Sequence, residues 1–107
     1  MSDNDYVLQD LYKVILDRKL NPSDKSYTSS LLTKGIDKIL KKLGEESTEL
    51  VIAGKGGERR EIVYETADLF YHALVLLAYC DISLDEVLHE LRGRFGTSGI
   101  EEKASRG

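Results

Sequence analysis

The sequence predicts an all-α protein, a bundle of four to five helices in one domain. Apolar residues recur at helical spacing in four segments, and the alternation typical of a β-strand is almost absent. The only proline, Pro22, lies between the first two helical segments, where it interrupts neither of them. A length of 107 residues fits a single domain over residues 1–107.

The first helix is predicted from an apolar face near the N-terminus, with Asp3 or Asn4 as its N-cap. The segment 20–24 ends this helix. A linker through Tyr27 follows, and we expect a helical turn at residues 29–33. The apolar face consists of Val7, Leu8, Leu11, Val14 and Ile15.

Two long helices come next in the prediction. The first spans about residues 36–55 and the second about residues 58–79. Gly54, Gly56 and Gly57 mark a tight break between them. A chain this short leaves apolar surface uncovered, so we expect it to dimerise. The expected interface is the helix at about residues 58–79, which is apolar and central in the bundle.

The C-terminal part contains a last helix and a charged tail. Ser83 and Glu86 form a capping-box pattern that opens the helix, which is expected to end near residue 94. From about residue 96, a turn rich in glycine and serine leads into a tail that we expect to be mobile. Such a turn can offer backbone N–H groups to a phosphate, so ordering of the tail over a phosphorylated ligand is a hypothesis.

The charge and the cysteine content limit the classes of function. The net charge of −4 and an isoelectric point near 5.2 argue against nucleic-acid or anionic-membrane binding, because both need a basic face. The only cysteine, Cys80, lies in an apolar stretch and is predicted to be a buried, inert thiol. A single cysteine and an N-terminus without a secretory pattern predict a cytoplasmic location. The most apolar run, residues 69–80, is too short to span a bilayer.

Acidic residues are concentrated on one flank of each long helix. On the first, three glutamates lie beside Lys38 and Lys42. The second is apolar around most of its circumference, and its acidic residues occupy the narrow stripe that remains. A helix that is apolar nearly all round is predicted to be buried nearly all round, so this stripe faces a cavity, a cation or a strip of solvent. The glutamates of the first helix are Glu45, Glu46 and Glu49, and the stripe of the second consists of Glu61, Glu65, Asp68 and His72.

An antiparallel hairpin would bring the two acidic sets together. Clustered carboxylates are costly unless a cation lies among them, and oxygen ligands of this kind suit Mg²⁺. The alternative is a solvated face whose acids pair with Lys38, Lys42, Arg59 and Arg60. Spacing alone does not separate a metal site from such a face.

The acidic spacing resembles a known signature. The pattern Glu45-Glu46-x-x-Glu49 followed by Glu65-x-x-Asp68 is similar to that of the all-α nucleoside-triphosphate pyrophosphohydrolase superfamily, which includes MazG-like and dimeric dUTPase-like proteins. Within it, the wider sequence resembles the phosphoribosyl-ATP pyrophosphatase family over nearly the whole chain. The matching segments are residues 26–28, 42–49, 65–72, 74–77 and 98–106.

This resemblance implies an enzyme that hydrolyses phosphoribosyl-ATP to phosphoribosyl-AMP and pyrophosphate, the second step of histidine biosynthesis. It also implies Mg²⁺ as cofactor and a homodimer, or a larger assembly, built as a helical bundle. The implied metal ligands are Glu45, Glu46, Glu49, Glu65 and Asp68. One of Glu45, Glu46 and Glu49 is implied as the general base.

The substrate carries phosphate at both ends, so we expect cations to reach it. Lys38 and Lys42 lie on the acidic flank and are the first candidates, although each is equally suited to pair with a nearby glutamate. In the tail, the candidates are Ser98, Lys103 and Arg106.

Several interpretations remain open at this stage. His72 is either a core histidine or a donor to a carboxylate, and His89 is predicted to lie on the surface. Two other functions compete with the implied one. The first is a house-cleaning hydrolase of non-standard nucleoside triphosphates, and the second is a non-enzymatic dimerising module whose acids form only salt bridges.

Overall fold

The computed structural model describes residues 4–96, and within this range it contains five helices and no strand. The all-α prediction is therefore confirmed. The two long helices and the last helix lie within two residues of the predicted bounds. The helices are α1 (Val7–Leu20), α2 (Tyr27–Lys34), α3 (Ile36–Gly56), α4 (Arg59–Tyr79) and α5 (Leu84–Gly93).

The beginning of the chain differs from the prediction in two respects. The N-cap of α1 is Tyr6, which makes no side-chain capping hydrogen bond, so the prediction of Asn4 or Asp3 is wrong. Asn4 contributes its backbone oxygen instead, which accepts the Val7 N–H at 3.4 Å. The expected turn at residues 29–33 is a complete helix, α2, because the Ser26 hydroxyl oxygen accepts the N–H of Ser29 at 3.1 Å and caps it.

The hairpin of α3 and α4 is the main structural unit, and these two helices make the most extensive contacts in the bundle. The C-cap of α3 is Gly57, which has a φ of +79°, a left-handed conformation that favours glycine. The N–H of Gly57 donates to the Ala53 carbonyl at 3.0 Å and closes the last turn. At the start of α5, Ser83 and Glu86 form the predicted capping box.

The hydrophobic core lies at one end of this hairpin. Helices α1 and α2 cover the second half of α4 and the first half of α3. Lys19 fastens α1 to the end of α4, because its Nζ donates to the Ala78 carbonyl at 2.7 Å. The largest fully buried side chains are Ile15, Leu31, Ile39 and Val75.

The other end of the hairpin is uncovered, so the prediction that α4 is buried nearly all round is wrong for the single chain. Val63 is 62% exposed, Tyr64 67% and Phe70 52%. On α3, Val51 is also largely exposed. The cause is the length of the hairpin, which extends beyond the two short helices packed on it.

Cys80 is exposed, and the prediction of a buried thiol is wrong. The residue follows the last turn of α4 and forms its C-cap, so it does not share the inward face of Val75 and Ala78.

No single helix of residues 4–96 has the length and hydropathy to cross a membrane, whereas α4 and α5 taken together, with a bend of 117°, meet that criterion.

The position of the core leads to a first prediction. Ile39→Ala is expected to lower the free energy of unfolding by about 2–5 kcal/mol, because it removes a fully buried side chain and leaves a cavity. Urea unfolding at a fixed protein concentration measures this loss. Leu20→Ala is the control, since Leu20 is 78% exposed and its loss is expected to stay within about 0.5 kcal/mol. Equal losses for the two variants would contradict this location of the core.

Candidate metal centre

Four carboxylates meet where α3 and α4 face each other. Glu46 and Glu49 come from α3, and Glu65 and Asp68 come from α4. Each side chain offers one oxygen, and the four oxygens all lie within 4.8 Å of one another. The spacing of three residues on each helix puts both members of a pair on the same face, and the antiparallel hairpin turns the two faces together. These four carboxylates form the tetracarboxylate site.

Glu46 is the most buried member of the tetracarboxylate site, with 4% of the residue exposed. Its Oε2 has no hydrogen-bond partner within residues 4–96, and the nearest cation is the Nζ of Lys42, 3.6 Å from Oε1. A hydrogen bond to Asp68, then burial, and then the charges of Asp68 and Glu49 raise the pKa of Glu46 to about 7. The Oε2 of an ionised Glu46 therefore has no donor within residues 4–96, and either a proton shared with Asp68 or a bound cation has to satisfy it.

Glu65 has the same deficiency on the opposite helix. Its Oε2 is buried without a partner among the described residues. Burial first, and then a hydrogen bond to Glu49 and the charge of Glu49, raise the pKa of Glu65 above its ordinary value. Two carboxylates of the tetracarboxylate site, one from each helix, therefore each have a buried oxygen without a partner among residues 4–96. A surface ion-pair network would leave neither of them without a partner.

Glu45 lies outside the tetracarboxylate site. It is exposed on α3, beside Glu46 in sequence but about 100° away around the helix. Its proximity to Lys42 contributes to the raised pKa of that lysine, for which the largest cause is Tyr27. The structure thus brings together four of the five predicted ligands, and the predicted role of Glu45 has no support from this geometry.

The predicted cations have different positions. Lys42 is partly buried at the edge of the tetracarboxylate site, between Glu46 and Tyr27. Lys38 lies one turn earlier and forms no ion pair with a carboxylate of residues 4–96. Ser98, Lys103 and Arg106, and the tail predicted from about residue 96, lie outside the described residues except for residue 96 itself.

A group of aromatic residues lies on the side of the site away from the hairpin turn. His72 is buried beside Asp68, and its ring contacts the rings of Tyr27 and Tyr71. The hydroxyl of Tyr71 is hydrogen-bonded to that of Thr28 on α2. Sequence reasoning identified His72 but missed this arrangement, because it depends on how α2 packs on α4. His89 is exposed, as predicted.

An open cavity of about 510 Å³ lies beside the tetracarboxylate site, toward the hairpin turn. Glu49 and Glu65 form one wall, and Arg60 and Tyr64 lie on the α4 side. Sequence reasoning placed Arg60 only as a possible ion-pair partner and did not consider Tyr64. Arg60 and Tyr64 are four residues apart, as are Glu61 and Glu65, so the two pairs lie beside each other on the helix. This spacing is a signal that could have identified Arg60 and Tyr64.

Comparison with known proteins decides which family this site belongs to. A family model described as phosphoribosyl-ATP pyrophosphohydrolase matches residues 8–95, which include the four carboxylates of the tetracarboxylate site and all of α1 to α5 except Val7. The chain belongs to this family. The predicted resemblance is therefore confirmed.

Individual relatives agree with the family model. The chain is 72% identical over 103 residues to a phosphoribosyl-ATP pyrophosphatase of Geotalea daltonii, and the alignment covers 96% of this chain and 97% of the relative. It is 69% identical over 106 residues to the protein of that name from Geobacter metallireducens, covering 99% and 97%. A Methylococcus capsulatus relative of the same name is 57% identical over 100 residues, covering 94% and 95%. These matches confirm the prediction of a hydrolase over that of a non-enzymatic module.

Proposed function

We propose that this member of the phosphoribosyl-ATP pyrophosphohydrolase family hydrolyses phosphoribosyl-ATP to phosphoribosyl-AMP and pyrophosphate with Mg²⁺ as cofactor. In this proposal the reaction is the second step of histidine biosynthesis and takes place in the cytoplasm. The observation that carries the chemistry is the buried Glu46, whose Oε2 lacks a partner among residues 4–96 and whose carboxylate meets three others. The names and the coverage of the relatives support the choice of substrate.

The donor set of the tetracarboxylate site fits Mg²⁺. Four carboxylates supply only oxygen, and two of their oxygens are buried without partners in the described part of the chain. Glu46, Glu49, Glu65 and Asp68 would hold the ion. When bound, Mg²⁺ neutralises phosphate charge and lowers the pKa of water at the site.

The other tasks fall to side chains of the chain itself. Lys42 is the cation nearest to the tetracarboxylate site, so it is the proposed contact for a substrate phosphate. Glu49 is the exposed member of the four carboxylates, so water from the solvent reaches it first. We therefore assign the general base to Glu49, which accepts the proton of the attacking water. Ser98, Lys103 and Arg106 remain proposed phosphate contacts on the basis of resemblance.

Release of pyrophosphate from phosphoribosyl-ATP, with and without Mg²⁺, tests the proposed function. ATP and dUTP serve as parallel substrates. We expect rapid Mg²⁺-dependent release from phosphoribosyl-ATP alone. Release from ATP and dUTP would instead indicate a house-cleaning hydrolase with the same metal site, and no release from any substrate by the folded protein would contradict the proposal.

The proposed enzyme is a homodimer, or a larger assembly, joined through the uncovered end of the hairpin. Exposed apolar side chains include Val51 of α3 and Val63 of α4 toward the hairpin turn, and Phe70 near the middle of α4. On α4, the spacing from Val63 to Phe70 is seven residues, or about two helical turns, so both lie on one face. Large apolar side chains that are exposed on one helix face are typical of protein interfaces.

The dimer face leads to a second prediction. Val63→Asp is expected to weaken self-association at least 100-fold, since burying an unpaired charge at an interface costs about 3 kcal/mol or more. Analytical ultracentrifugation over a range of protein concentrations measures the change. The control is Leu20→Asp, because Leu20 is also largely exposed but lies on α1, away from the proposed face. A monomeric wild type, or a Val63→Asp variant that dimerises normally, would overturn the proposed interface.

A further inference from the structure

His72 is almost completely buried, and both of its ring nitrogens have partners. The residue is 3% exposed. Its Nδ1 lies 2.8 Å from the backbone oxygen of Asp68 and 3.4 Å from Asp68 Oδ1. A carbonyl oxygen can only accept a hydrogen bond, so Nδ1 carries the hydrogen and donates it toward Asp68.

The other ring nitrogen contacts Tyr27. The Tyr27 hydroxyl oxygen lies 3.1 Å from His72 Nε2. Because the hydrogen of the neutral ring is on Nδ1, Nε2 is an acceptor and the tyrosine hydroxyl is the donor. The hydrogen bonds therefore run in one direction, from Tyr27 through His72 to the backbone carbonyl of Asp68, and they link α2 to a residue of the tetracarboxylate site.

Packing holds this chain of hydrogen bonds in place. The rings of Tyr71 and His72 meet edge to face, with centroids 5.0 Å apart and an interplanar angle of 86°. Tyr27 is the first residue of α2, directly after the Ser26 cap, and its ring stacks on Tyr71 at 6.3 Å. The imidazole thus contacts two tyrosine rings that stack on each other, and this packing restricts its orientation.

The bond from the ring to the Asp68 carbonyl is not required by the helix. In an α-helix, the backbone N–H of residue 72 donates to the carbonyl of residue 68, so that oxygen already has a donor. The ring N–H is a second donor at the same place, and its position keeps it within 3.4 Å of Asp68 Oδ1. The consequence of the arrangement is a fixed donor beside the Asp68 carboxylate.

We propose that Tyr27 and His72 are positioning residues that hold the Asp68 carboxylate in the orientation in which it offers an oxygen to Mg²⁺. This inference rests on the proposed function, because it concerns the ion proposed there. Neither residue touches the substrate in this role. The Asp68 carbonyl fixes the tautomer of the imidazole, Tyr27 restrains its orientation, and the imidazole orients the Asp68 side chain.

A pair of substitutions at position 72 separates positioning from packing. His72→Asn retains an N–H donor close to the place of Nδ1, whereas His72→Leu retains apolar volume and removes both nitrogens. Isothermal titration with Mg²⁺ alone measures the dissociation constant of each variant. We expect His72→Leu to weaken Mg²⁺ binding by about 10- to 100-fold, and His72→Asn to recover most of that loss.

Tyr27→Phe provides the second measurement, and it remains informative if His72→Leu does not fold. Tyr27 is half exposed, so loss of one hydroxyl is compatible with folding. The variant leaves Nε2 without its donor, and we expect Mg²⁺ affinity to fall about 3- to 10-fold, less than for loss of the whole imidazole. His89→Leu, the same substitution at an exposed histidine, is the matched control and is expected to bind Mg²⁺ normally.

The outcomes distinguish this inference from the proposed function. Normal Mg²⁺ affinity in both His72→Leu and Tyr27→Phe, with only the thermal midpoint lowered, would show a packing role and overturn the inference. Equal loss in His72→Asn and His72→Leu would also overturn it, because the donor would then be irrelevant. If the wild type binds Mg²⁺ and the variants lose affinity but phosphoribosyl-ATP is not hydrolysed, the inference holds and the choice of substrate fails.

Discussion

Replacing Glu46 by glutamine is expected to lower kcat/KM for phosphoribosyl-ATP by about 10³-fold and to weaken Mg²⁺ binding. The substitution preserves size and hydrogen-bonding capacity but removes the charge of the most buried carboxylate at the tetracarboxylate site. The amide of glutamine is a poor ligand for Mg²⁺ compared with an ionised carboxylate. Steady-state pyrophosphate release over a range of Mg²⁺ concentrations measures both effects.

Two further variants make this experiment specific. Asp10→Asn removes one exposed carboxylate from α1 and is expected to leave kcat/KM unchanged. Glu45→Gln tests whether the metal site has the five ligands implied by resemblance or only the four that the hairpin brings together. We expect its loss to be below about 10-fold, because Glu45 is exposed and outside the cluster. Losses of equal size for Glu45→Gln and Glu46→Gln would restore Glu45 to the metal site and contradict the four-carboxylate assignment.

The thermal stabilisation that Mg²⁺ provides is expected to increase as the pH rises from 5 to 8. The pKa of Glu46 in the metal-free protein is about 7, against an ordinary value of 4.5, so the folded state favours the protonated form. This contribution to stability is complete below about pH 4.5, decreases as the pH rises, and is lost above about pH 7. Mg²⁺ replaces the proton, and it competes with that proton least at high pH.

Melting curves at several pH values, with and without Mg²⁺ and at one protein concentration, measure this effect. At a Mg²⁺ concentration one hundred times the dissociation constant, the stabilisation is about 2.7 kcal/mol, or on the order of 10 °C for a chain of this length. Glu46→Gln cannot titrate, so its metal-free midpoint is expected to vary less between pH 5 and pH 8. An increase in midpoint with Mg²⁺ that is the same at every pH would refute the proposed exchange of a proton for the ion.

The helices were predictable because the signals that define them are local. Apolar spacing located α3 and α4, Gly57 marked the end of α3, and the Ser83 and Glu86 pair marked the start of α5. The acidic residues were predictable for the same reason, since a spacing of three puts Glu46 and Glu49 on one face of any helix. The family was predictable because the order of these motifs extends along nearly the whole chain. The N-cap of α1 was not predictable, because Tyr6 occupies that position without making a side-chain capping hydrogen bond.

The sequence by itself therefore determined the fold class, the helices and the acidic character of the site. Which acids meet depends on the tertiary structure. Neighbouring residues on a helix point about 100° apart, so the rotation of α3 relative to α4 places Glu46 in the cluster and leaves Glu45 outside it. The tertiary structure likewise decided that Tyr27 meets His72, since 45 residues separate them and only the packing of α2 on α4 closes that distance. The exposure of Val63 has the same origin: an apolar residue is buried only where another element is long enough to cover it.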